Sequence, residues 1–304
     1  VSKFASGEFV MQLGAKVFLS RITTLFLLSG FLVCASPAIA ADAVAMVTDL
    51  QGKATLADDP RKSELSILSE IKGNTRVQLH GSARAVVVYL QSGQEFEVKG
   101  PAVIVFGVQQ PEGISGNKPA KRGVALAKSG KDIRIKPVVV TQAAIVMRSV
   151  NPGMKIKLLS PNGSKSLQAK PVFEWQAPQP GLNYQFELLD DGGNPLLSTT
   201  TGEAQLSLPD SVNLQEGITY TWVISTKLPD GKQSSNAADF SIASETLRAE
   251  VAALQPAADA ALSERVVFAT WLEQNGLRDE ARTQWKLIAA ERQDDQRLKV
   301  LAGD

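Results

Sequence analysis

Cysteine is almost missing from this chain of 304 residues, with Cys34 the only one. From residue 41 onward there is none, which excludes a disulfide framework, a thiol nucleophile and a thiolate metal site in that part of the molecule. Histidine is equally scarce. His80 stands alone before Gly81 and lacks the partners that a catalytic triad or a zinc site requires. Neither a phosphate-binding loop nor a dinucleotide fingerprint is present. The most apolar run, residues 22–33, spans 12 residues, short of the roughly 20 that a membrane-crossing helix needs.

The surroundings of that run are informative. Lys16 and Arg21 precede it, Ser36 and Pro37 break it, and Ala38-Ile39-Ala40 places small residues before Ala41. This is the three-part layout of a secretory leader. The expectation is a signal peptide over residues 1–40, counted from Met11 as the effective start, with Ala38 and Ala40 as the processing site. A retained anchor is the competing reading, and the shortness of the run speaks against it. A lipoprotein would need a small residue before Cys34, where Val33 is large and β-branched. A cysteine-free remainder suits an oxidising compartment, so no permanent transmembrane anchor is expected and the periplasm is the expected location.

Charge is distributed unevenly. Residues 41–117 hold 7 basic and 9 acidic side chains, residues 118–170 hold 12 basic against Asp132 alone, and residues 171–304 hold 10 basic and 20 acidic. The central segment is thus a basic belt: Lys118, Lys121, Arg122, Lys128, Lys131, Arg134, Lys136, Arg148, Lys155 and Lys157. Three readings stand side by side. The belt contacts an anionic envelope polymer or lipid headgroups, it packs against the acidic last third, or it is a solvated loop. Nucleic acid is not expected for an exported chain.

Residues 45–107 alternate in short β-branched stretches punctuated by Gly81, Gly93 and Gly100, the pattern of an antiparallel sheet structure. Residues 64–71 offer one short helix. The opening Gly52-Lys53-Ala54-Thr55-Leu56, the step over residues 71–79, and the run Ala85-Val86-Val87-Val88-Tyr89-Leu90 through Ser92-Gly93 to Gly100-Pro101-Ala102 together resemble the FecR domain. That resemblance implies an envelope setting with a signalling or scaffolding role. Only about 20 residues precede the apolar run, too few to fold as a cytoplasmic anti-sigma segment, so direct sigma-factor control is not expected.

Residues 108–154 read as a basic linker with short strands, rich in Gly, Pro and Lys, with a β-forming run over 133–147. A second β module follows over residues 155–243. Phe173 and Trp175, then Tyr184, Phe186 and Leu188, then Tyr220, Trp222 and Ile224 mark strand faces, with hairpin turns at Asp190-Asp191-Gly192-Gly193-Asn194 and Asp230-Gly231. Trp175, the Leu214-x-x-Gly217-x-x-Tyr220 step and the Gly231 and Ser234 pair resemble a fibronectin type III module. Over residues 244–304 the apolar period becomes helical. Three helices are predicted, and Trp271 to Trp285 around Gly276 resembles a single tetratricopeptide hairpin, too little for a solenoid and expected to pack on the β module or another chain. The fold class expected is mainly β with a helical C-terminal tail.

Other candidates for chemistry weigh less. Glu95 and Glu97 share a strand face, where glycosidase carboxyls stand on opposed walls of a cleft. Residues 190–194 lack the spacing and closing Glu of a calcium loop. Tyr89, Trp175, Tyr184 and Trp222 make a sugar-stacking platform only where exposed, and alternation places them in cores. The sequence therefore predicts a non-enzymatic periplasmic protein of a Gram-negative-type envelope. It would need no cofactor and would contact other envelope proteins, with a carbohydrate- or anionic-polymer-binding protein as the alternative.

Overall fold

The computed structural model describes residues 43–124 and 155–303. Ala38, Ala40, Lys128, Lys131, Arg134, Lys136 and Arg148, like the run over 133–147, lie outside the described residues. The fold is mainly β and ends in helices.

Nine strands form the first unit: β1 (Ala43–Gln51), β2 (Ala54–Leu56), β3 (Glu70–Lys72), β4 (Thr75–Leu79), β5 (Arg84–Tyr89), β6 (Gln94–Lys99), β7 (Ala102–Phe106), β8 (Pro111–Gly116) and β9 (Ala120–Val124). They make two antiparallel sheets, ordered β3-β1-β5-β6-β9 and β2-β4-β7-β8. Val47, Val87, Phe96 and Val98 of the first meet Val77, Leu79, Ile104 and Phe106 of the second in one core. The opposite face of the first sheet is apolar as well: Met46, Val88 and Leu90 belong to a separate core made with the C-terminal helices. Burial on both faces explains why residues 85–89 read as a continuous valine run, since alternation survives only where one face meets water.

Two sequence boundaries move. No helix forms over residues 64–71. The Leu68 N–H instead donates to the Val47 carbonyl at 2.8 Å, the Ser69 hydroxyl accepts from the Ser66 N–H at 2.9 Å, and Leu68 adopts a φ of 67°. A branched residue in that region ends a helix, and it is held there against its intrinsic cost by β1 and the core below it. The limit placed at residue 107 also falls short, because β8 and β9 pair with β7 and β6 and complete the edges of the two sheets. The glycine content that suggests a linker serves close approach. At Gly116, with φ 77°, an added Cβ would lie 2.1 Å from the Pro101 carbonyl oxygen.

The second β unit comprises β10 (Lys157–Ser160), β11 (Ser164–Ser166), β12 (Val172–Gln176), β13 (Tyr184–Leu189), β14 (Pro195–Thr201), β15 (Gln205–Ser207), β16 (Thr219–Lys227) and β17 (Gln233–Ile242). Sheets ordered β10-β12-β15 and β11-β17-β16-β13-β14 face each other. Phe173 centres the core, with the rings of Phe186, Trp222 and Phe240 at 5.0, 5.3 and 5.3 Å. The Leu-x-x-Gly-x-x-Tyr step has a structural cause: the Gln215 N–H donates to the Tyr220 hydroxyl at 2.8 Å, closing the turn before β16.

The tail holds four helices, α1 (Glu245–Leu254), α2 (Leu262–Gln274), α3 (Arg278–Glu291) and α4 (Gln296–Ala302). The last, of seven residues, is too short to display a helical period. Its signals are local: Asp295 caps its start by accepting from the Arg297 N–H at 2.9 Å, and Gly303 ends it at φ 87°. Val266, Trp271, Trp285, Ile288 and Leu298 bury against the outer face of the first sheet, together with Ile67 and Leu68. Polar contacts fix the register. Asp49, buried, takes Arg84 at 2.8 Å and Arg292 at 2.6 Å, and Arg292 also donates to the Leu50 carbonyl. At its other side the tail holds the sandwich: Asp279 accepts from Ser160 and from the Asn162 N–H, both at 3.3 Å, and Lys165 N–H donates to the Gly276 carbonyl at 2.8 Å. The helices are thus the third layer of the first unit and the joint to the second.

Removal of residues 244–304 should leave the first unit unable to hold a native core, read as lost near-ultraviolet circular dichroism and gained dye binding. Asp49→Ala removes the carboxylate that Arg84 and Arg292 share, while Glu97 and Asp294 still pair with them, so it should cost about 1–3 kcal/mol, measured by urea unfolding.

Candidate functional site

The structure settles several candidates by placement. Tyr89, Trp175, Tyr184 and Trp222 are all buried, which overturns a stacking platform built on them. The Tyr89 hydroxyl donates to the Gly107 carbonyl at 3.1 Å, and burial pushes its pKa up. The His80 ring is 3.0 Å from the Thr55 hydroxyl, at a strand end. Asp190 spends its carboxylate on its own turn, accepting from the Gly192 and Asn194 N–H groups at 2.9 and 2.7 Å. Bonds from Asn194 hold its pKa below the usual range.

Glu95 and Glu97 lie side by side on β6, and their environments differ. Hydrogen bonds from Arg84 hold Glu97 low, with Lys99 adding to the effect. Burial raises Glu95, against the opposing pull of Arg122 and of the Ser263 hydroxyl on α2, and with Glu264 adding to the rise. Its Oε1 has no well-formed hydrogen bond to a described residue. The two carboxyls are neighbours on one strand and not walls of a cleft, so the spacing that glycoside chemistry requires is not built. Two grooves among the described residues are not lined by two carboxylates. One of 490 Å³ lies between Pro256, Arg265, Leu287 and Glu291, and another of 530 Å³ lies along Asn183, Gln185, Thr200 and Lys227.

The surface that gathers unspent chemistry is the β8–β9 edge. Each strand ends the order of its sheet, so each leaves one edge without a described strand beside it. The chain crosses from one to the other at residues 117–119, where the Asn117 amide donates to the Lys99 and Gly100 carbonyls at 3.2 and 3.0 Å and Lys118 lies against Gly113. On β9, Lys121 stands opposite Phe96 and Gly123 opposite Glu95. Arg122 is therefore the extra residue of a bulge, and it reaches Glu97 at 3.8 Å. Lys118 and Lys121 are exposed and form no ion pair with a described residue.

The segment is apolar as well as basic. Val108 in the turn before β8, Ile114 on β8 and Val124 at the end of β9 are 64, 51 and 50 % exposed, three of the seven large apolar side chains so placed among the described residues. The sequence pattern identified the cations and missed these three, because an isolated Val or Ile in a Gly-rich stretch carries no period. Of the belt residues, Lys118, Lys121 and Arg122 lie in this segment. Lys155 and Lys157 lie exposed at the start of the sandwich, and the rest fall outside the described residues. The acidic last third supplies no partner to Lys118 or Lys121 among the described residues. It does supply one to Lys170, through Asp210 at 2.9 Å.

No family model matches the chain, and no curated protein does. Among solved structures, CopC from Methylosinus trichosporium OB3b overlaps 29 % of this chain and 93 % of its own, at 19 % identity and a TM-score of 0.24. The extracellular domain of the one-component system BT4673 from B. thetaiotaomicron overlaps 55 % of this chain and 29 % of its own, at 9 % identity and a TM-score of 0.23. Neither overlap carries a functional assignment. Among the described residues no helix is long and apolar enough to cross a membrane.

Glu95 provides a pH test of this layer. A carboxyl whose folded pKa is raised binds its proton more tightly when folded, so stability falls as pH rises through that interval. Glu95→Gln should therefore raise the thermal midpoint by a few degrees at neutral pH. The gain should vanish near about pH 3, where carboxyls are protonated in both states.

Proposed function

We propose that this chain is a non-enzymatic periplasmic protein of the bacterial envelope, an interaction scaffold that presents the β8–β9 edge to an anionic partner. The observation that carries this reading is that residues 108–124 expose Lys118 and Lys121, neither paired with a described residue, along with three aliphatic side chains. The secretory layout around residues 16–41 supports export, and the resemblance of residues 45–107 to FecR domains supports a signalling or scaffolding role. Fold-level likeness does not supply the partner.

The rest of the molecule suits a scaffold. Its aromatic residues fill cores, its buried Asp49 is neutralised by two arginines, and its helical tail ties two β units together. A carbohydrate reading that relies on aromatic stacking loses its platform, whereas binding of an anionic polymer would use the same basic edge.

The test is capture from a solubilised envelope fraction by immobilised residues 41–304, at low and high salt, with protein and glycan both analysed. The expected result is a discrete component retained by the wild type and not by the K118E/K121E variant. Equal recovery by wild type and variant would remove the edge from the function.

A further inference from the structure

We infer that the β8–β9 edge is a contact surface for an anionic phospholipid bilayer, a proposal that rests on the reading of this edge as the interaction surface. Lysine on an edge strand has a simpler use, since it discourages edge-to-edge aggregation. That use does not account for Val108, Ile114 and Val124, which stand half or more exposed in the same segment, residues 108–124, and would favour the pairing that lysine prevents. The remaining exposed large apolar residues, Leu159, Leu196, Leu287 and Val300, are scattered over β10, β14, α3 and α4.

A bilayer interface takes both kinds of side chain at once. Cations are drawn to the phosphate plane, while aliphatic groups gain by leaving water for the headgroup–acyl boundary. A hydrated acidic polysaccharide would satisfy the lysines and leave the aliphatic side chains in water. A protein partner would be expected to meet a central cluster of large anchors, whereas here small aliphatic residues are spread over residues 108–124. The charge at the rim is mixed but cationic on balance. Glu112 on β8 is exposed, Arg122 is partly engaged by Glu97, and Lys118 and Lys121 are free of described partners. In sequence the cations continue directly with Lys128, Lys131, Arg134 and Lys136.

Each lysine near an anionic surface is worth about fivefold in affinity, so loss of two should be visible and reversal of two more so. The experiment is co-sedimentation of residues 41–304 with vesicles of phosphatidylcholine alone and of phosphatidylcholine mixed with phosphatidylglycerol, across a salt series. Binding is expected to the anionic vesicles only, and to fade at high salt as exposed charges are screened within about 10 Å. K118E/K121E should weaken it by at least about tenfold. I114S/V124S, whose side chains leave no buried gap, should weaken binding at low salt without moving the thermal midpoint. Failure of the wild type to sediment with anionic vesicles would overturn the proposal, as would equal sedimentation by both variants. Salt-sensitive binding to an acidic polysaccharide that ignores I114S/V124S, with no vesicle binding, would overturn the bilayer and leave the anionic-partner reading standing.

Discussion

Everything in this molecule follows from a sheet that is apolar on both faces. Met46 and Val88 point away from the core shared by the two N-terminal sheets, and a sheet face of this kind must be covered. The cover comes from the far end of the chain. Trp271, Trp285, Ile288 and Leu298 supply it, and Arg292 anchors it to Asp49 across 243 positions of sequence. The first unit is therefore complete only once the last sixty residues are present. Such long-range closure is slow for loop-entropy reasons, and the intervening sandwich, with its own aromatic core, can form independently of it.

The same cover decides which surfaces remain free. The helices occupy one face of the first sheet, the second sheet occupies the other, and the sandwich is fastened to the helical side through Asp279 and Gly276. What is left to the first unit is its rim, and there β8 and β9 run with nearly every residue exposed. A rim composed of Gly, Pro and Lys would be a blunted edge and nothing more. The added aliphatic side chains make it a surface with an amphipathic character, and the rigidity behind it means that contact there is borne by a preformed shape.

Much of this was legible in residue order. Period-two stretches located most strands, Asp190-Asp191-Gly192-Gly193-Asn194 located a hairpin, and the change of period after residue 244 located the tail. The elements that escaped share a physical cause. α4 is shorter than two helical turns, and for β8 and β9, expected only as short strands of a linker, the low β propensity of their residues hid that they complete the two sheets by pairing with β7 and β6. Leu68 shows the reverse case, where a segment with helical composition is held in a turn, with Leu68 at a φ of 67°, by a bond to β1 and by the core beneath it.

For the functional surface, the division is similar. Charge is a property of composition, so the cations of residues 118–136, opposed by Asp132 alone, could be read without a structure. Aromatic burial was also readable, since alternation with polar neighbours assigns Trp175 and Trp222 to one face of their strands. Whether a face meets water or protein is not written in a strand itself. It depends on which distant segment lies against it. The sequence alone determined the strands, the turns, the helical end and the sign of the belt. Only the tertiary structure decided that the tail closes the first sheet, that Glu95 is half-buried near Ser263 of α2, and that Lys118, Lys121 and three aliphatic side chains of residues 108–124 are left exposed, because burial is set by contacts between segments far apart in the chain.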